Sequence, residues 1–382
     1  MNKLILNVLF IAIIICGVVN SLGFTSTTTL IVDVTQNNQY PKYGTCGTAS
    51  KTCNNIQDAI NYYNRISQNS NIQQLNLLLA DGVFNNTNNF IEFKKFNTTI
   101  SPLNVGSENV IFDGSVGTKS KETLFSFVSS TIWITGIQFV NFQSESSLIY
   151  SESGQINIDQ CSFKNVSSKD GTVYLKSSNS LISNTIFTSN SVKKTSDSAS
   201  VISFFTSYTN KFIISKCQFN NNVALNGGAI YAKNTALITV PDPLVSLIEN
   251  TLFNGNVASG KGGALYTDNI LLIVDSNVFT NNTSPTGSII NLNNGLMNIT
   301  SSSFYSGTSL NYFLSTIIYT TKSDLNIDDS TFDRSFSVAI NCDSSTVITQ
   351  NNNLSLRLVC YNCISIIEGT QDCQGVPKNL DY

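Results

Sequence analysis

Few residues in this chain are equipped for chemistry, and the carboxylates come first. Glu249 and Asp275 hold equivalent places in neighbouring repeat units, each four residues before a phenylalanine. Two carboxylates about 5 Å apart on stacked strands would raise each other's pKa or attract a hard cation such as calcium. Calcium takes about six or more oxygens, so a hydrated polar stripe is the ordinary reading of this pair. Arg334, with Asp328, Asp329 and Asp333 nearby, is a second place where a base could meet acids, although one arginine among acids more often makes a solvated, salt-bridged surface. The only other arginines are Arg65 and Arg357, and there is no histidine. That excludes Ser-His-Asp and Cys-His catalysis and histidine zinc sites. Nothing calls for a cofactor.

Nine cysteines are present. Cys16 lies in an apolar leader: Lys3 precedes a run from Leu4 to Val19, broken only by Asn7, and small residues follow at Ser21 and Gly23. Residues 1–23 read as a cleaved signal peptide, too short for the roughly 20 apolar residues of a spanning helix. No membrane span is expected after cleavage, and the chain should be secreted, extracellular or held at the cell surface. An oxidising compartment makes the other cysteines disulfide candidates first. Cys46 and Cys53 are close enough to staple an entry loop. Cys342, Cys360, Cys363 and Cys373 form a C-terminal cap with three possible pairings, and Cys360-x-x-Cys363 leaves zinc as the minor alternative. The same route makes Asn85, Asn97, Asn165, Asn281, Asn298 and Asn353 candidate glycan sites.

These residues sit on a repeat. A phenylalanine recurs at 139, 163, 187, 219, 253, 279, 304 and 332, with Ile134, Ile158, Ile182, Ile214, Ile248, Val274, Ile299 or Ile327 five residues before it. Spacings of 24 to 34 residues in units rich in β-branched and small polar residues mark a chain that stacks one coil per unit. The phenylalanines should form an internal stack rising about 4.8 Å per coil. Two residues before each stands a mostly small residue, which suggests two short strands meeting at a corner. Cys161 and Cys217 share that position, but the unit carrying Thr185 lies between them. Two steps of about 4.8 Å exceed the roughly 7 Å reach of a disulfide, so both are expected as buried free thiols. Three residues after the phenylalanine come Asn190, Asn222, Asn256 and Asn282, placed to bond along the axis as an amide ladder. The ladder claims Asn282 for the interior, so a glycan is expected on Asn281 or on neither.

Further along each unit a small-residue bend opens a second strand, as in Gly227-Gly228-Ala229-Ile230-Tyr231 and Gly262-Gly263-Ala264-Leu265-Tyr266. Glycine there permits a tight bend at positive φ, and no helix follows to present amides to a phosphate. Before the repeats, Leu30, Val32 and Val34 alternate as a strand. Ile56, Ala59, Ile60 and Tyr63 mark one face of a helix capped by Asn54 or Asn55, and Leu75, Leu77 and Leu79 give a strand ending at Asp81-Gly82. Such a helix would lid the open end of a solenoid. The expected divisions are 24–74 for the entry strand, disulfide loop and helix, 75–341 for the repeats and 342–382 for the Cys-rich cap.

The Phe-x-x-Asn segments at 187, 219, 253 and 279 and the Gly-Gly-Ala-Ile/Leu segments at 227 and 262 resemble the repeats of polymorphic outer-membrane proteins. The helix and the Leu78-Leu79-Ala80-Asp81-Gly82-Val83-Phe84 strand end look like a pectin-lyase-like parallel β-helix. The resemblance covers roughly residues 30–360 and implies an all-β, right-handed solenoid of about ten coils. It also brings the possibility of polysaccharide chemistry, but the histidine of polygalacturonase-like members is missing and arginine is scarce. Only 12% of the residues are charged, the formal net charge is -3 and no basic run is present, so no nucleic-acid partner is expected. Long faces of Ser, Thr and Asn suit a polysaccharide or a cell-surface protein. The expected molecule is therefore an extracellular binding, adhesive or structural glycoprotein; the alternatives are a polysaccharide lyase or hydrolase acting through carboxylates and an adhesin tethered by an uncleaved N-terminus.

Overall fold

The computed structural model describes residues 27–35, 46–67, 74–85, 89–94, 96–115, 123–193, 200–206, 209–235, 244–305, 316–333, 338–352, 358–361, 363–367 and 374–375. The signal segment 1–23, Arg334, Asn353, Arg357 and Cys373 lie outside the described residues. Within them the chain winds as a parallel β-solenoid. Thirteen, twelve and ten strands form three long sheets, and four short strands form a fourth. Every strand pairing is parallel, and each strand pairs with its counterpart one coil away.

Period-2 alternation decides which side chains go in. In Gln155–Asp159, Ile156 and Ile158 are fully buried while Gln155, Asn157 and Asp159 are not. The phenylalanines pair in register from one coil to the next and stack with ring centroids 4.7–5.1 Å apart from Phe139 to Phe332. The stack starts earlier than the repeat suggests. Phe84 and Phe112 continue it at 4.9 and 5.4 Å, making ten rings on the ten-stranded sheet. Phe112 escapes sequence alignment because the corner before it is longer: Ile100, the register partner of Ile134, stands twelve residues before Phe112 where Ile134 stands five before Phe139.

Each corner turns on one residue in the left-handed region. Three residues before the phenylalanine these are Gly136, Gln160, Asn184, Lys216, Asn250, Ser276, Ser301 and Asp329, with φ between 45° and 67°. Non-glycine residues pay about 1–2 kcal/mol for this conformation, and the stacked neighbours above and below hold them there. The small residue next to the corner has a definite task. Its side-chain oxygen accepts the backbone N–H of the preceding coil, as Thr185 does for Cys161, Thr251 for Cys217, Asn277 for Thr251 and Ser302 for Asn277. Corner amides that the sheets leave unpaired are satisfied in this way.

The N-terminal end is closed. Helix α1, Ile56–Ser67, buries Ile56, Ala59, Ile60 and Tyr63 and packs against strands Thr27–Val32 and Ile91–Lys94. Asn55 caps it, accepting from the amide of Asp58 at 2.8 Å. The outer edge of Thr27–Val32 is occupied by the loop joined through the Cys46–Cys53 disulfide. There Ile31 N donates to Gly47 O and Cys53 N donates to Ile31 O, both at 2.8 Å. An otherwise open sheet edge is thus covered.

Candidate binding surface

The asparagine column is fully buried and bonded along the axis. Asn190 Nδ2 donates to Asn222 Oδ1 at 3.0 Å, Asn222 to Asn256 at 2.9 Å and Asn256 to Asn282 at 2.9 Å. The second amide hydrogen of each goes to a phenylalanine carbonyl one coil back, from Phe163 O for Asn190 to Phe253 O for Asn282. Each Oδ1 also accepts a backbone N–H from the coil before, beginning with Val166 N on Asn190. The column is internal and offers nothing to a ligand. Asn281, one residue away, is exposed at a corner with φ 55°, and Asn165 is exposed in the equivalent place with φ 56°. Asn85, Asn97 and Asn298 are half-buried.

Glu249 and Asp275 are register partners on adjacent strands, each held by a hydroxyl. Ser215 Oγ donates to Glu249 at 2.9 Å and Thr300 Oγ1 to Asp275 at 2.5 Å. Asp159 follows the same pattern with Ser183 and Asn184. This is a hydrogen-bonded stripe running down the outside of the thirteen-stranded sheet. Among the described residues no group of three or more His, Cys, Asp or Glu is placed to hold a metal ion.

Cys161 and Cys217 are buried and free, and burial pushes both thiols up to about 12. Cys342 is joined to Cys363 with a Cα–Cα distance of 6.4 Å. Cys360 lies in strand Leu358–Tyr361 as the register partner of Cys342. Gly227, Gly262 and Gly287 have φ of 59–63°, and a Cβ on Gly228 would run into the carbonyl oxygen of Gly263. The Gly-Gly pairs are therefore bends that let successive coils touch.

One surface feature went unnoticed in the sequence. At outward-pointing positions of the twelve-stranded sheet, Tyr150, Tyr174, Phe205, Tyr231 and Tyr266 stack along the axis with centroids 5.7, 5.1, 5.6 and 5.0 Å apart; Tyr231 is buried and the other four are half-buried. They alternate with inward residues such as Val173 and Leu175, which are fully buried. Ion pairs flank the ridge: Lys176 with Glu152 at 2.7 Å and Lys233 with Asp268 at 2.9 Å. Tyr150 donates its hydroxyl to Glu152 at 2.7 Å. Burial, and then this bond, pushes the Tyr150 phenol far above its ordinary value, while the Lys176 and Tyr150 bonds hold Glu152 low. Burial and then the nearby Asp268 carry Tyr266 up to about 12. The tyrosines that end the Gly227 and Gly262 segments were the available signal.

Beside the ridge a shallow groove of about 490 Å³ runs along the corner between the twelve- and thirteen-stranded sheets. Ser129, Ser153 and Ser177 line one side, Thr131, Gln155 and Asn179 the other, with Gly154 between and Thr209 and Asn210 beside them.

The family model described as the Chlamydia polymorphic membrane protein repeat matches residues 216–233 and 250–268, the units that carry both the Asn ladder and the Gly-Gly bends. Metabotropic glutamate receptor-like protein R of Dictyostelium discoideum is 30% identical over 174 residues, 42% of this chain, which spans only 10% of that relative. Among solved structures, PfbA, a surface adhesin of Streptococcus pneumoniae, aligns with 93% of this chain and 96% of its own at 12% identity and a TM-score of 0.43. Bacteriophage CBA120 tailspike protein 3 covers 90% and 62% at 11% and 0.40, and a rhamnogalacturonan lyase 88% and 85% at 11% and 0.35. No helix among the described residues is long and apolar enough to cross a membrane.

Proposed function

We propose that this chain is a secreted or cell-surface glycoprotein whose β-helix serves as an extracellular binding scaffold in an adhesive or structural role. The observation that carries the reading is the outward aromatic ridge from Tyr150 to Tyr266. Tyrosine is enriched where proteins bind, because it offers a large apolar body with a polar tip and little rotamer freedom to lose. Four half-buried aromatic rings packed about the buried Tyr231 and rimmed by Glu152, Lys176, Lys233 and Asp268 have the arrangement of a recognition surface: an apolar centre within a polar border. The repeat match is to a membrane protein, in keeping with a place at the cell surface. The signal segment and the sequons at Asn85, Asn97, Asn165, Asn281, Asn298 and Asn353 belong to the same reading.

The test is retention of the purified chain on intact cells and on immobilised polysaccharides, pectin included, with released reducing ends measured in parallel. Retention without new reducing ends is expected. Depolymerisation would overturn the reading in favour of a polysaccharide lyase or hydrolase, and absence of retention on every surface would overturn it as well.

A further inference from the structure

The aromatic column lacks a ring at two places that have a tyrosine on either side, and only one of them is filled. Tyr174, Ser203 and Tyr231 are successive register partners, and the Phe205 ring lies between the two tyrosines at 5.1 and 5.6 Å. Two coil steps of about 4.8 Å each thus admit one ring between two others. Tyr266, Asn291 and Tyr319 repeat the arrangement further along the same sheet. There the residue two positions on is Asn293, which carries no ring and donates to Asp268 at 2.9 Å. Among the described residues Tyr266 stacks on Tyr231 alone, and Tyr319 touches no ring.

The floor of this second place is the Asn291 side chain. It holds an outward position yet is only 2% exposed, and its Nδ2 has no hydrogen-bond partner. A donor shut away from water and left unpaired is costly, so the place favours a guest that brings an acceptor. A ring entering from solvent meets Nδ2 with its leading edge. The edge of a phenylalanine ring is hydrocarbon of positive character and cannot accept, and indole leads with C–H or N–H groups. A phenol leads with its oxygen, which accepts. The wall free to turn aside is Tyr319, half-buried and, among the described residues, without a side-chain hydrogen bond as well as without a ring contact. Beyond it the column continues with Asn341 and Val359, so among the described residues no other vacant place has a ring on both sides.

We infer that the place between Tyr266 and Tyr319 binds a phenol ring, carried as a tyrosine side chain by a partner protein, with the phenol oxygen accepting from Asn291 Nδ2. The guest completes the stack that Phe205 completes from within the chain two coils earlier. The inference deepens the proposed function and rests on it for the partner, since it gives the recognition surface one defined contact.

The test is an NMR titration of the whole chain with p-cresol and with toluene, the same ring without the oxygen. Binding of p-cresol with a Kd on the order of 1 mM is expected for so small a ligand, and toluene should bind about tenfold more weakly. N-acetyl-tyrosinamide should bind and N-acetyl-phenylalaninamide should not. Asn291→Leu, which keeps the size and removes the donor, should weaken p-cresol about tenfold, while Asn341→Leu should leave it unchanged. Asn291→Tyr should fill the place with the column's own residue type, fold with a thermal midpoint at or above that of the parent and lose p-cresol binding. The proposal is overturned if p-cresol does not bind, if toluene binds as well, if Asn291→Leu binds like the parent, or if Asn291→Tyr fails to fold, because the ring then does not fit. Binding of p-cresol without N-acetyl-tyrosinamide would overturn the tyrosine partner in favour of a free phenol. Retention of the parent on intact cells separates this proposal from the proposed function: retention without p-cresol binding sinks the phenol place alone, and p-cresol binding without retention sinks the ridge reading alone.

Discussion

Asn222 stands inside the stack of four amides, and its side chain uses its whole hydrogen-bonding capacity. It accepts from Asn190 N and Nδ2 and donates to Phe187 O and Asn256 Oδ1. Asn222→Ala would leave a buried amide and a buried carbonyl without partners, at about 1–3 kcal/mol each. A loss of about 3 kcal/mol is expected in urea unfolding, and a loss under 1 kcal/mol would show that water replaces the ladder. The same register separates two neighbouring sequons: a glycopeptide map should find glycan on Asn281 or on neither, and occupancy at Asn282 would contradict its burial. The thiols give a pH prediction. Cys161 and Cys217 titrate near 12 when folded, above the roughly 8.5 of an exposed thiol, so between those values the folded chain binds more protons. Their contribution is complete below about pH 8.5 and is lost as pH rises toward 12, with Tyr266 adding to the loss above about pH 10. At pH 8 a thiol reagent should modify neither cysteine until the protein unfolds.

At the scale of the element, coils approach closely where glycine lets them. Gly228→Ala would drive a methyl group into Gly263 O and the backbone of Val257, so a loss of about 2–4 kcal/mol or failure to fold is expected. Normal stability would show that the bend relaxes freely. By contrast, Asn250→Gly at φ 49° should stay within about 1 kcal/mol of the parent, since the corner already adopts a glycine-like conformation. The two cases mark how far the sequence can be read. Gly-Gly pairs announce their bend, because few residues can replace them. Corners occupied by Gln160, Lys216, Ser276 and Asp329 share no residue type, since the stacked coils impose the backbone there and the side chain points to water. Inward columns were legible for the opposite reason: a closed core accepts only phenylalanine, aliphatic and small residues at fixed places. Phe84 and Phe112 were missed because the corners before them are longer: Leu77 and Ile100, the counterparts of Ile134, stand seven and twelve residues before them and not five.

For the molecule as a whole, the surface was the hardest part to read. The aromatic ridge mixes two columns, because Ser203 takes the place of a tyrosine and Phe205, two residues later, supplies the missing ring. An alignment by columns breaks at that step. The groove depends on concavity between two sheets and on Thr209 and Asn210 from a longer unit, which spacing alone does not convey. The ridge is nevertheless where the account of function is most exposed to test. Ser126 and Ser203 already occupy tyrosine positions of the ridge column, so Tyr174→Ser/Tyr266→Ser should fold with a thermal midpoint within a few degrees of the parent. The decisive measurement is retention of this variant and of the parent on the same intact cells. Retention of the parent with a loss of about tenfold or more in the variant is the predicted result, and equal retention of the two would contradict the assignment of the ridge as the recognition surface.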